Sequence, residues 1–461
     1  MNESTQESES VMDDLQRVLE STGLHYVDGL YDWQTLLWIR KNKEQESISN
    51  RTTQGVSLRS FGKSGWAYSC SNEVDKATMR KLTRTLKKDS ATAAEKRLAI
   101  PDTLVMNVEM PVKKNPLEVP VDEKLQKVRE IFDLTRQLDP RIADTRVAYA
   151  ESIIDRVLVS SNGTKARQVI PRTRFLVEVV VKENGTTDSD NLNLGGTVGY
   201  EVIEDVTEDR IREVVQSAVE QLKAIPPPTG LQTVILDPGV VGTVCHESFG
   251  HGLEADQAVR GRSYLKDMLG KKVASDLVTM YEDSSLERGN GTYFFDDDGV
   301  KSRKNTLVQD GVLVSFLHDV ETGAAMKAHL TGSSRTQNAA RRRFIRMSNT
   351  YAKPGDRTLD DIVKDTKSGI MVMRWQFGIE DPLGGGMQVS TKKGYLIENG
   401  TKTKPLKSLT LTGRVLDVLG NVDAVSSDGF TVDPGNCGKG SEDYVPVGSG
   451  GTWWRTKAVI A

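Results

Sequence analysis

Ile225-Pro226-Pro227-Pro228-Thr229-Gly230 divides the 461-residue chain into two nearly equal halves. Three consecutive prolines fix φ and remove three backbone donors, so neither a helix nor a central strand runs through them. The segment reads as the seam between two units, residues 1–228 and 229–461. On a prior of roughly 150 residues per domain the length admits about three domains, and also fewer, larger ones.

Upstream of the seam, strand and helix patterns come in blocks. Residues 11–22 place Val11, Leu15, Val18 and Leu19 at helical spacing, and residues 73–88 repeat the pattern with a basic outer face. Between them, residues 35–40, 47–50, 55–61 and 65–69 read as the short strands of a small meander. An amphipathic helix follows over 122–137, then extended runs at 147–155, 157–161, 166–182 and 194–200. Thr207 is a natural N-cap for a helix to Ala224, with Glu208 and Asp209 in its first turn. This half is expected to be α+β. Downstream, residues 232–237 read as a strand and about 239–258 as a helix. From Val300 onward short β-like runs are broken by glycine-rich turns, Asp310-Gly311 being a hairpin signal. The second unit is therefore expected to be β-rich and barrel-like.

Composition excludes several classes. Hydrophobic residues make up 37% and charged residues 27% of the chain, a globular balance. The net charge of -3 gives no overall electrostatic reason to expect nucleic acid or an anionic membrane as partner. The three cysteines, Cys70, Cys245 and Cys437, are scattered and odd in number, which suits a reducing compartment. The acidic start of the chain lacks the positive region and apolar run of an export signal, and no apolar stretch approaches the ~20 residues that span a bilayer. A soluble, cytoplasmic protein is expected.

The chemistry concentrates in Cys245-His246-Glu247-Ser248-Phe249-Gly250-His251-Gly252-Leu253-Glu254-Ala255-Asp256, which holds two of the five histidines. Two imidazoles on one element can bind a divalent metal, and an adjacent carboxylate can take a proton from water activated by it. In the familiar zinc-peptidase helix the histidines are four apart, separated by ~40°; five apart, as here, they are separated by ~140° on an ideal α-helix. Both reach one metal only if the helix is distorted by a π-type turn or ends near Gly250. A third ligand is also needed, and Glu254, Cys437 and Cys245 are candidates. Glu254 could equally orient an imidazole. Cys437 lies in a loop of small residues, whereas Cys245 reads as a small buried apolar residue.

These residues resemble the TldD/PmbA family of metallopeptidases. The likeness rests on His246-Glu247-x-x-x-His251-x-x-Glu254-x-Asp256, on Pro434-Gly435-Asn436-Cys437-Gly438-Lys439 and on Val445-Pro446-Val447-Gly448. Further landmarks follow in the same order: Leu317 to Thr322, Arg346 to Thr350, Gly394 to Gly400 and Asn421 to Val425. The resemblance covers the second half and, more weakly, the first. It implies zinc bound by His246, His251 and Cys437, with Glu247 as the general base of peptide hydrolysis. It further implies action on unfolded or flexible peptides in an enclosed cavity between subunits, hence a homodimer or a heterodimer with a paralogous subunit. One branch of the family keeps the histidine motif and its paralogue is a non-catalytic partner; this chain resembles the catalytic branch. A non-catalytic peptide- or partner-binding subunit is the alternative. The stretches from Arg374 to Met387 and Gly451 to Trp454 depart from the family's pattern and leave substrate preference open.

Other features read as structural. Phe295-Asp296-Asp297-Asp298-Gly299 lacks the spaced ligands of a calcium loop and is expected to be a turn. Arg335, Arg341, Arg342, Arg343 and Arg346 form a basic cluster expected on a solvated or intersubunit face. His318, beside Asp319, is a candidate oxyanion donor, with a structural role as the default. Lys76, Arg80, Arg84, Lys87 and Lys88 form a solvated helix face.

Overall fold

The computed structural model describes residues 3–62, 65–89, 98–440 and 442–461. Met1 and Asn2 of the acidic N-terminus and the Lys88 side chain lie outside the described residues. The first half is a seven-stranded sheet with helices on it. Helix α1 (Glu3–Glu20) leads into strands β1 (Val27–Lys41), β2 (Glu46–Gly62) and β3 (Gly65–Ser71), then α2 (Lys76–Asp89) and β4 (Val105–Glu109). Helix α3 (Val121–Gln137) precedes the long strands β5 (Ile142–Ser160), β6 (Lys165–Glu183) and β7 (Thr186–Gly196), and α4 (Glu208–Gln221) closes the half. The order across the sheet is β3-β2-β1-β5-β6-β4, with β7 also on β6.

The predicted short strands at 35–40, 47–50 and 55–61 merge into two long ones. In β1 the signal starts late because strand alternation there buries Asp28 and Asp32, and in β2 it breaks at the largely exposed polar run from Arg51 to Gln54. Successive side chains point to opposite faces. Val27, Tyr31, Leu37 and Ile39 of β1, with Val147, Tyr149, Val157 and Val159 of β5, enter the apolar clusters under the four helices. The opposite face carries buried Asp28, Asp32, Arg59 and Arg156. Asp28 stands across from Arg59 and Asp32 from Arg156 in the strand register. Thr207 caps α4 as expected, its side chain accepting from the Arg210 amide.

The second half holds two further sheets and the largest apolar cluster. Strand β8 (Gly230–Leu236) begins it and is followed by α5 (Pro238–Thr243), α6 (Ala255–Val259), β9 (Met280–Asp283), β10 (Lys304–Gln309) and β11 (Val312–Leu313). Next come α7 (Val320–Met326), the two-stranded ribbon β12 (Ser334–Arg335) and β13 (Phe344–Ile345), and β14 (Asn349–Ala352). The remainder is β15 (Ser368–Glu380), β16 (Gly386–Glu398), β17 (Thr401–Leu406), β18 (Leu409–Arg414), β19 (Ala424–Val425), β20 (Thr431–Lys439), β21 (Glu442–Gly451) and β22 (Trp454–Ile460). Strands β15-β8-β22-β18-β16 close into a five-stranded barrel through the pairing of β15 with β16. The other sheet runs β11-β10-β9-β14-β21-β20. Asp310 and Gly311 both take positive φ, 48° and 79°, at the β10–β11 hairpin that their sequence signals. The protein is thus α+β with a β-rich, barrel-containing second half. No helix among the described residues is long and apolar enough to cross a membrane.

The charged face of the first sheet meets the second half. Asp297 pairs with Arg156 at 2.9 Å, Arg343 with Asp28 at 2.7 Å, and Arg59 with both Asp28 and Asp298. The acidic run is indeed a turn, with the Gly299 amide donating to the Asp296 carbonyl. The arginine cluster differs from expectation: Arg341 and Arg342 are exposed, while Arg335, Arg343 and Arg346 are buried. The carboxylates waiting on β1 and on the 296–298 turn account for Arg343. Backbone carbonyls account for the others: Arg335 donates to Met347 and Pro446, and Arg346 to Cys437.

Candidate metal centre

Just after β8, the Asp237 carboxylate accepts from the Val240 amide at 2.8 Å and starts α5, with Pro238 in the first helical turn. The expected continuous helix over 239–258 does not form. Residues 244–249 widen into a π turn, 250–253 tighten into a 3-10 turn, and only then does α6 begin. Gly250 allows this, since a Cβ there would lie 2.3 Å from the Met347 sulfur. Hydrogen bonding at i→i+5 brings residues five apart onto one side, which is what the histidine spacing required. His246 and His251 consequently face each other, ring centroids 5.4 Å apart and planes 84° apart.

Cys437 arrives from β20, paired with Val445 of β21. Its Sγ lies 3.4 Å from His251 Nε2. One ligand atom from each of His246, His251 and Cys437 falls within 4.8 Å of the others. His246 is 2% exposed, yet among the described residues neither of its ring nitrogens lies within hydrogen-bonding geometry of a partner, with Cys437 beside it in the cluster. Buried polar atoms seldom go unsatisfied, and two imidazoles with one thiolate is an established donor set for zinc. The residues present therefore fit the metal. Burial alone would push the Cys437 thiol up, but the two imidazoles facing it hold it well below its ordinary range.

Glu247 projects from the π turn with 34% of its side chain exposed, its oxygens 3.9 Å from His246 Nε2 and 3.7 Å from His251 Nε2. Gly378 of β15 backs it: a Cβ there would stand 3.0 Å from the Glu247 Cβ. Glu254 is not in the ligand cluster. It lies 3.3 Å from His251 Nδ1, the nitrogen turned away from Cys437, and 2.9 Å from Lys439 Nζ, which also reaches Asp256 at 2.8 Å. Burial opposes its charge, but Lys439 and His251 bring its pKa down to about 2. A carboxylate on the far nitrogen fixes the tautomer and orientation of a ligating imidazole. Glu254→Gln is accordingly expected to weaken zinc binding by about 10- to 100-fold without removing a ligand, measured by competition with a chromophoric chelator.

Among the remaining candidates, Cys245 is fully buried in the apolar core, as expected. His318 is buried with Nδ1 3.4 Å from Thr322 Oγ1 at the start of α7, and burial pushes its pKa down to about 4. It rests against Thr322 of the Asp319–Thr322 cap, and among the described residues no hydrogen bond joins it to the histidine cluster. Sequence reasoning missed two residues. Lys439 was visible only as part of a loop motif, and Glu380 carries no local signal because β15 brings it from far along the chain. Glu380 Oε2 is buried without a partner; burial, then Glu254, Glu247 and Asp381, outweigh the pull of His251 and push its pKa up to about 8.

A π-distorted helix with two imidazoles, a carboxylate beside them and a cysteine from a distant strand gathers a set of residues that could hold a metal ion. Residues 114–224 match the PmbA/TldA metallopeptidase central domain and residues 229–449 the PmbA/TldA metallopeptidase C-terminal domain. The chain belongs to the TldD/PmbA family of metallopeptidases. It is 35% identical to a metalloprotease of Methanocaldococcus jannaschii over 91% of this chain and 93% of the relative. It is 25% identical to a zinc metalloprotease TldD homolog of Saccharolobus solfataricus, over 95% and 96% of the two chains. The crystal structure of TldE from Thermococcus kodakarensis has the same fold, with a TM-score of 0.81 over 98% of this chain and 100% of that one at 17% identity.

Proposed function

We propose that this protein is a zinc-dependent peptidase that hydrolyses unfolded or flexible peptides in an enclosed cavity. His246, His251 and Cys437 hold the metal, and Glu247 is the general base. The observation that carries the reading is the Glu247 carboxylate lying within 4 Å of both imidazoles while remaining partly open to solvent. When bound, zinc supplies Lewis acidity that polarises a carbonyl and acidifies water. Glu247 accepts the proton of the attacking water on a carboxylate oxygen and passes it to the departing amine. Glu254 and Lys439 hold the His251 ring in place.

Residues 1–228 and 229–461 form the two units of the working enzyme, a division supported by matched segments that end at 224 and resume at 229. The enzyme works as a dimer in the cytoplasm, with a second copy or a paralogous subunit completing the cavity. The fold likeness to TldE supports a second reading, a non-catalytic peptide- or partner-binding subunit of a dimeric complex. Incubating the zinc-loaded protein with unstructured and with folded polypeptides separates the two. Cleavage confined to the unstructured set supports the peptidase; binding without cleavage in any assembly supports the second reading.

A further inference from the structure

Between the first sheet and the second half lies a cavity of about 40 Å³ that the peptidase chemistry does not use. Its walls include Arg156 of β5, Arg172 of β6, Tyr293 and Arg335, with Val445 and Pro446 of β21. All three guanidinium groups are buried. Arg156 is neutralised by Asp32 and Asp297, each at 2.9 Å. Arg172 and Arg335 are not. Among the described residues Arg172 donates to the Asn290 and Thr292 carbonyls, at 2.7 and 2.8 Å, and Arg335 to those of Met347 and Pro446. Neither forms an ion pair among the described residues. Two acids line the same space. Asp297 is taken by Arg156, and Asp296 accepts the amides of Asp298, Val300 and Ser334. Burial, with Asp298 nearby, holds the Asp296 carboxyl well above the usual carboxylate range.

A buried cation without an ion-paired partner is costly, and two facing one cavity are more so, although Glu282 and Asp297 offset part of that cost at Arg335. Burial, then Arg335 and Arg156, push the Arg172 pKa down to about 9. The space holds about three waters at ~10–15 Å³ each, or one small ion. Most of the wall is buried, with Ile154, Gln337 and Pro446 half-buried, and a space of about 40 Å³ is too small for a peptide backbone. We propose that this cavity is a binding site for one small monovalent anion of halide size, held between Arg172 and Arg335. The walls come from both halves of the chain, and Val445 is the cross-strand partner of Cys437. The anion therefore ties the first sheet to the hairpin that presents the candidate metal thiolate.

The test is thermal unfolding of the full-length protein as sodium chloride replaces sodium gluconate at constant ionic strength, which removes general screening. A saturable rise of about 2–4 °C is expected, since a ligand at a hundred times its Kd favours the native state by linkage. R172M is expected to lose the chloride-dependent rise. Crystals of the wild type grown in bromide provide a readout that does not depend on R172M folding. An anomalous peak between Arg172 and Arg335 supports the site. Coincident chloride and gluconate curves, a full chloride response in R172M, or bromide found only elsewhere overturns it.

Discussion

Glu247→Gln is expected to lower hydrolysis of an unstructured peptide by about 10²- to 10⁴-fold while leaving zinc content unchanged. The substitution keeps the shape of the side chain and its place between the two imidazoles, 3.9 and 3.7 Å from their Nε2 atoms. It removes the group that accepts a proton. The chelating atoms of His246, His251 and Cys437 are untouched, so a fall in kcat with metal retained separates a base from a ligand. An unchanged rate would assign proton transfer to another group, and Glu380, which interacts electrostatically with His251 and Glu247, is the carboxylate to test next. Loss of zinc in the variant would instead make Glu247 part of the metal shell.

Arg343→Met is expected to destabilise the protein by about 3 kcal/mol, the lower end of the cost of breaking a buried ion pair. Its guanidinium pairs with Asp28 at 2.7 Å, lies 3.6 Å from Asp298, and donates to the Asp297 carbonyl. Methionine fills much of the same volume but leaves these acceptors buried with one cation fewer. Arg59 still faces Asp28 and Asp298, which keeps the cost from rising further. The urea midpoint reads the effect directly. A shift below the equivalent of about 0.5 kcal/mol would show that water or a rearranged Arg59 replaces the contact.

The sequence announced the four helices of the first half, whose apolar periodicity is unbroken, and the β-rich character of the second. The N-cap at Thr207 and the turn at Asp310-Gly311 were legible for the same local reason. What it concealed is long-range. Arg335, Arg343 and Arg346 read as a surface patch because their partners, Asp28 and the carbonyls of Met347, Pro446 and Cys437, meet them only in the folded chain. The same burial of charge hid the start of β1, while the largely exposed polar run from Arg51 to Gln54 split the pattern of β2. At the metal centre the spacing of the histidines demanded a distorted helix, and the π turn supplies it. Spacing could not choose among Glu254, Cys437 and Cys245. The fold places the sulfur of Cys437 with the imidazoles, turns Glu254 to the back of His251, and buries Cys245 in the core.

Elemental analysis of protein purified without added metal or chelator, wild type beside Cys437→Ala, bears on the proposed centre most directly. About one zinc per wild-type chain, lost in a variant that still folds, is the predicted result. A well-folded wild type that takes up no zinc even on reconstitution, or a Cys437→Ala protein with full zinc content, would contradict it.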